Sequence, residues 1–324
     1  MDLHGGTAAS AEAAPIVVQA PAGQSVQRAL PQSVALRSAP SGWKARRLAV
    51  DCLGLAPFVV FCVMAELLPI WTIVHLGLVD AGGGLTLRHF QDALAPVYQH
   101  AFVNSIVISL ATAAASALLG PPMIYAAMRL SRRAAGAMNG LSAVAANFAG
   151  VPLAFTFIAT LGVQGLLTSF LQQHFGLDIY SAGFSLYSTF GLGLCYFYFQ
   201  LPLMILLIGP ALVGLRPEWR QASATLGAPT WRYWWHVGIP VLAPTVLAAA
   251  ALLFANAFGA YGTAFALSPS TLNLVSVKLG YFINGDVGAD FAAGGALATL
   301  MILVMLVCII LYQALKARGQ RWVA

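Results

Sequence analysis

Long apolar stretches constrain this sequence more than any other feature. Six of them reach the roughly 20 residues that a helix needs to cross about 30 Å of hydrocarbon. Because backbone N–H and C=O groups find no water inside a bilayer, such stretches must form helices. We therefore expect an all-α, polytopic membrane protein with six transmembrane helices. The predicted spans lie near 52–76, 102–128, 141–163, 187–209, 241–267 and 291–315.

Charged residues are scarce and unevenly distributed. Only 8% of the 324 residues are charged, against about a quarter in soluble proteins. The net charge of +6 does not indicate nucleic-acid binding, because Lys and Arg occur in small groups between the apolar stretches. With the N-terminus placed inside, 14 of the 16 Lys and Arg residues fall on the inner side of the membrane. The positive-inside rule then predicts that both termini are cytoplasmic.

The chain is predicted to have two parts. Residues 1–42 are rich in Ala, Pro, Gln and Ser and show no periodicity, so we expect a disordered cytoplasmic tail. The basic cluster around Arg46 precedes the first span without the cleavage site of a signal peptide. Residues 43–324 are predicted to form the transmembrane domain.

One polar segment between two spans, residues 215–240, has regularly placed Pro and Gly residues. Pro217 and Pro229 lie where helices can begin, since proline is tolerated in a first turn. Gly227 lies where a short helix would end in a left-handed cap. The pattern predicts a helix, a glycine turn and a second helix, with Pro240 at the start of the next span.

This loop resembles that of permease subunits of binding-protein-dependent ABC importers. Their pattern is Glu-Ala-Ala, three residues, Gly, nine residues, Ile, any residue, Leu-Pro, and the spacing here matches at every step. Gln221 replaces the acid, although Glu218 lies one turn away. Segment 254–267 also looks like polyamine- and iron-type members. The matching positions are Gln221, Ala222, Ser223, Gly227, Val237, Ile239 and Pro240.

The resemblance implies a type I importer permease bundle in a bacterial inner membrane, with no cofactor. Its loop would form coupling helices that insert into a cleft of separate ABC ATPase subunits. The other implied partners are a second permease, identical or homologous, and a periplasmic or surface-anchored substrate-binding protein. No Gly-Lys pair occurs in the sequence, so there is no P-loop and ATP must be hydrolysed by another chain. We expect a transport subunit, not an enzyme.

Other interpretations remain open at the level of sequence. The aromatic residues Trp231, Tyr233, Trp234 and Trp235 would also suit an amphipathic loop lying on the lipid surface. The chain as a whole could be a secondary transporter or channel with no ATPase partner, or a membrane scaffold. A secondary transporter usually carries several intramembrane charges and repeated broken helices.

Polar residues within the predicted spans are candidates for lining a translocation path. Glu66 is the one ionisable residue well inside a span, and such groups are costly enough to suggest function. Each polar candidate can instead hold two helices together. The His residues fit no metal-binding spacing, so no metal site is predicted. The path candidates are Glu66, Asn147, Gln200 and Asn256.

The predicted outer loops carry five Asp residues against Arg88 and Lys278. A negative outer face attracts cations. Polyamines such as spermidine or putrescine are therefore the first substrate candidates and ferric iron the second, with thiamine and anions such as sulfate kept open.

Overall fold

The chain divides into two units, Met1–Val60 and Phe61–Ala324. Of the first unit only the helical residues 54–60 are described, and all packing reported below belongs to the second. The predicted tail, residues 1–42, lies outside the described residues. The computed structural model describes residues 54–80, 82–267, 272–284 and 291–323.

The described residues form helices and one isolated β-bridge between Val79 and Leu85. In chain order the helices are α1 (Gly54–Leu78), α2 (Arg88–Ala93), α3 (Pro96–Leu130), α4 (Arg132–Asn147), α5 (Val151–Leu161), α6 (Leu166–Phe175), α7 (Thr189–Val213), α8 (Pro217–Thr225), α9 (Thr230–Phe258), α10 (Gly262–Leu267), α11 (Val275–Asn284) and α12 (Phe291–Val323).

Six segments in the described part of the chain are long and apolar enough to cross a membrane. They are α1, α3, the pair α5 and α6, α7, α9 and α12. The predicted fold class, an all-α bundle with six membrane-spanning segments, is confirmed.

The third span differs from its predicted position. We expected residues 141–163, but the chain leaves helical geometry between α4 and α5. Gly150 there has φ +76°, a left-handed conformation that glycine adopts without steric cost. Pro152 then lies in the first turn of α5, which proline favours. The apolar count missed this break because the residues around it are themselves apolar, and the span is Val151–Phe175.

The fifth span is also shifted. We expected residues 241–267, whereas α9 begins at Thr230 and ends at Phe258. At its end, Tyr196 of α7 donates a hydrogen bond to the carbonyl of Ala260 at 2.7 Å. This side chain takes up a backbone acceptor that an unbroken helix would have used.

Small residues form the central contact between α3 and α7. The buried face of α3 includes Ser105, Ser109 and Gly120, and small side chains let membrane helices approach closely. A Cβ atom on Gly120 would lie 2.7 Å from Cγ of Met204 in α7. Ala111, another small residue of α3, is exposed. The close contact therefore uses one face of α3.

A second close contact joins α1 to α12. A Cβ atom on Gly77 would lie 2.8 Å from the backbone nitrogen of Ala296. The backbones of the first and last spans approach directly there, which requires glycine.

Candidate coupling loop and translocation path

Helix α8 begins at the proline that the sequence indicates. Arg216 has extended backbone angles (φ −66°, ψ 124°), and Pro217 occupies the first turn, where its missing N–H loses no helical hydrogen bond. The carboxylate of Glu218 lies in the same turn, near the positive end of the helix dipole. No residue of α8 is buried in this chain. The helix is therefore accessible to a partner.

Gly227 ends α8 in the conformation predicted for it. Its φ is +74°, which places it in the left-handed region that glycine tolerates. The backbone N–H groups of Gly227 and Ala228 donate to the carbonyls of Ala224 (3.0 Å) and Ser223 (3.1 Å). These bonds satisfy carbonyls that the end of a helix leaves free. The turn fixes the direction in which the chain leaves α8.

The second arm of the loop is not the separate helix that we expected. Instead, α9 begins at Thr230 and continues into the fifth span. It passes through a π-helical turn, Trp234–Gly238, just before Pro240. Proline lacks an N–H, and its ring collides with the carbonyl four residues earlier in a regular α-helix. The wider π-turn removes that conflict, so the loop and the span form one continuous element.

Aromatic packing attaches this π-turn to α3. The rings of Tyr125 and Trp234 meet edge to face with centroids 4.6 Å apart. Gly238 leaves room for the Trp234 ring, because a Cβ atom on Gly238 would overlap it. Tyr233 is buried beside them. A displacement of the loop would therefore be transmitted to both α3 and α9.

The seven residues matched to the coupling pattern fall into two groups. Gln221, Ala222 and Gly227 are exposed on α8 and its turn, and Ser223 is half-buried. The other group lies at the start of α9: Val237 is half-buried, and Ile239 and Pro240 are exposed.

Three of the four path candidates are exposed, each on a different helix. Glu66 lies in a π-helical turn of α1, Val63–Leu67. Asn147 is the last residue of α4, where its Nδ2 donates to the carbonyl of Ala143 at 2.8 Å. Asn256 lies near the end of α9.

Gln200, the fourth candidate, is wholly buried between α3 and α7. Its Nε2 donates to Oγ1 of Thr112 at 2.8 Å, and Thr112 donates in turn to the carbonyl of Ile108 at 2.8 Å. Its Oε1 has no hydrogen-bond partner among the described residues. This geometry is that of an interhelical contact, the alternative open to all four candidates.

Two helix breaks that the sequence analysis did not identify are joined to each other. One lies between α4 and α5, and the other between α9 and α10. Oγ1 of Thr263 accepts from the N–H of Gly150 (3.0 Å) and donates to its carbonyl (3.2 Å). Asn147 directly precedes the first break and Asn256 lies just before the second. Discontinuous helices commonly mark the binding region of membrane transporters. The available signal was glycine near both breaks, at Gly150, Gly259 and Gly262.

Proteins of similar sequence show which family the chain belongs to. An ABC transporter permease protein, ORF1, from Streptomyces antibioticus is 30% identical over 231 residues, covering 70% of this chain and 92% of the relative. The chain belongs to the ABC transporter permeases. The Escherichia coli inner membrane ABC transporter permease protein YdcU is 29% identical over 255 residues, covering 72% of the permease and 76% of the relative. No profile of a known protein family matches the permease.

Other relatives of the permease carry the names of molybdenum, sulfate and thiamine transport system permease proteins. Its fold is similar to a solved bacterial ABC transporter involved in the import of the acidic polysaccharide alginate. The TM-score is 0.57 at 15% identity, covering 87% of the permease and 99% of the other chain. The permease is a multi-pass inner-membrane protein, and permeases of this family are transport subunits, not enzymes.

Metal-ligating side chains are not grouped in the described part of the permease. No three His, Cys, Asp or Glu side chains lie close enough there to hold an ion. Nε2 of His89 in α2 lies 4.0 Å from Oδ1 of Asp80 in the loop after α1.

Proposed function

We propose that the permease is the membrane-spanning subunit of a type I ABC importer and that α8 receives the movement of a separate ATPase. The observation that carries this proposal is the shape of the loop. An exposed helix is capped by Gly227, and after one turn the chain is already part of the fifth span. The spacing shared with importer permeases, from Gln221 to Pro240, supports the same role.

The coupling mechanism follows from these attachments. The small side chains of Ala222 and Ser223 allow α8 to approach the floor of a groove on the ATPase closely. When the ATPases close on ATP, α8 moves with them. The turn at Gly227 passes that movement to α9, and the contact of Trp234 with Tyr125 passes it to α3. The bundle then switches between inward-facing and outward-facing states.

The path itself is proposed to run past the joined helix breaks. Asn147 and Asn256 both lie beside these breaks and are exposed in the single chain. Polar groups at broken helices can replace the water around a solute. A second permease, identical or homologous, would close the path from the other side. Glu66 is exposed on α1 and remains a further candidate.

The proposal for the substrate rests on the charge of the predicted outer loops. Five Asp residues against two basic residues in the predicted outer loops favour a cation, so polyamines come first and ferric iron second. The names of the relatives keep thiamine, sulfate and molybdate open. Both termini are proposed to be cytoplasmic, because 14 of 16 basic residues then lie inside.

Site-directed cross-linking tests the coupling role. In a cysteine-free background, Ser223→Cys on α8 should cross-link to the ATPase and should react with impermeant thiol reagents from the cytoplasmic side only. Ser181→Cys, in the loop between α6 and α7, is the matched control and should react from the outside only. If Ser181→Cys cross-links to the ATPase and Ser223→Cys does not, both the orientation and the coupling proposal are wrong.

Uptake into proteoliposomes tests the substrate. The assembled transporter, with its binding protein, is offered labelled spermidine, ferric iron, thiamine, sulfate and molybdate in turn. We expect ATP-dependent uptake of a cation and none of the anions. Uptake of sulfate or molybdate would overturn the charge argument and leave the coupling role untouched.

A further inference from the structure

An apolar cavity of about 600 Å³ opens between α3 and α9. Its walls are almost entirely hydrocarbon, from side chains such as Leu118, Pro122, Leu242 and Leu247. The volume lies within the range of sites that hold small molecules, about 300–1,000 Å³. Both helices are membrane-spanning segments, so the molecules that reach the cavity are those of the bilayer or of a neighbouring subunit.

The cavity has about the length of one leaflet. On α3 its lining runs from Ala117 to Tyr125, a rise of about 12 Å at 1.5 Å per residue. Half of a hydrocarbon core of about 30 Å is about 15 Å. An acyl chain of a single leaflet therefore matches the cavity in length as well as in polarity.

Polar groups gather at one end of this cavity. The hydroxyl of Tyr125 is buried and has no hydrogen-bond partner among the described residues. The guanidinium carbon of Arg129, one turn further along α3, lies 5.8 Å from the centre of the Tyr125 ring. Arg132 and Arg133 follow and are exposed. Basic groups at the end of an apolar groove between membrane helices suit an anionic lipid headgroup.

We propose that this cavity binds an acyl chain of an anionic phospholipid, with the exposed guanidinium of Arg129 donating hydrogen bonds to its phosphate. A phosphate oxygen accepts such charge-assisted bonds readily. An apolar helix of a second permease would fill the walls but would offer no anionic group to Arg129. The lipid chain would lie against Trp234, in the π-turn that joins the loop to the fifth span. The inference does not depend on the proposed coupling role.

Tryptophan quenching by brominated lipids tests the site in the full chain. Six of the seven tryptophans are replaced by Phe, which leaves Trp234 alone in one variant and the exposed Trp71 of α1 alone in another. Both are placed in vesicles that contain a small fraction of phosphatidylglycerol with brominated acyl chains. Trp234 should reach half-quenching at about a fivefold lower brominated fraction than Trp71, a ratio that corresponds to about one favourable Arg contact.

Three further variants are made in the Trp234-only chain. Ala243→Phe fills the cavity and should remove the difference between the two tryptophans, whereas Ala111→Phe, on the exposed face of α3, should leave it unchanged. Arg129→Gln should remove the preference for phosphatidylglycerol over phosphatidylcholine. Equal quenching of Trp234 and Trp71 would overturn the proposal. Quenching that disappears when the second permease assembles would overturn it too, by showing that a subunit covers the cavity.

Discussion

Helix α8 and the contact between α3 and α7 lie at opposite extremes of burial. No residue of α8 is buried in the single chain, whereas Gln200 and Met204 of α7 are wholly enclosed. Buried contacts supply most of the stability of a fold, and exposed positions supply little. Changes in α8 should therefore alter coupling with little effect on stability, and changes between α3 and α7 should do the reverse.

The largest expected effect comes from crowding the buried contact. Gly120→Leu adds a branched side chain where even a Cβ atom would lie 2.7 Å from Cγ of Met204. Overpacking of this kind costs about 1–3 kcal/mol. The free energy of unfolding, measured in detergent micelles with a mild denaturant, should fall by that amount.

Ala114→Leu is the control for crowding, because it adds the same side chain to the same helix at an exposed position. Its free energy of unfolding should stay close to that of the parent chain. Equal losses in both variants would mean that the α3–α7 contact has no special packing demand.

The second prediction concerns the turn after α8. Gly227→Val places a β-branched residue at φ +74°, and a left-handed residue costs about 1–2 kcal/mol when it is not glycine. If this strain changes how α8 is held against the ATPase, ATPase activity stimulated by substrate and binding protein should fall about tenfold. A tenfold change is the equivalent of about 1.4 kcal/mol. The free energy of unfolding of the bundle should hardly change.

Gly227→Asn separates backbone strain from the loss of glycine itself. Asparagine enters the left-handed region more easily than other residues, so this variant should keep most of the stimulated activity. An asparagine variant as inactive as the valine variant would show that the ATPase groove needs the absence of a side chain there.

Features that depend on neighbouring residues could be predicted from the sequence, and features that depend on distant residues could not. Six spans follow from hydropathy alone, because a bilayer forces apolar stretches into helices. The turn at Gly227 also follows from local rules, since neighbouring residues determine a helix cap. The third span was misplaced because the break at Gly150 is held by Thr263, a partner that is distant in sequence.

Two other features were not predicted either. The burial of Gln200 depends on Thr112 in another helix, and nothing beside Gln200 in the sequence distinguishes an interhelical contact from a path residue. The π-turn before Pro240 lets the helix pass a proline that the sequence analysis took as a starting point. Pro69 follows a π-turn in α1 in the same way. Proline in a membrane span therefore does not by itself mark a helix boundary.

The third prediction is an asymmetry within the buried hydrogen bond. Thr112→Val removes the acceptor of Gln200 Nε2 and leaves a buried amide wholly unpaired, which should lower the free energy of unfolding by about 1 kcal/mol. Gln200→Met keeps the side-chain length, and Thr112 keeps its bond to Ile108, so the loss should be smaller. Unfolding of the two single variants and the double variant measures the coupling. A larger loss for Gln200→Met would mean that Oε1 has a partner of its own.

The smallest effect is expected from the charge that this loop lacks. Gln221→Glu restores the acid of the family pattern at an exposed position, where an ion pair is worth at most about 1 kcal/mol. Stimulated ATPase activity should change by less than about twofold, because an exposed ion pair contributes little and the proposed coupling depends on the backbone geometry at Gly227. Glu218→Gln decides whether the nearby acid substitutes. If it does, this variant loses activity and Gln221→Glu in the same chain restores it. A gain of about tenfold from Gln221→Glu alone would reverse the ranking, because an ion pair would then matter more than the shape of α8.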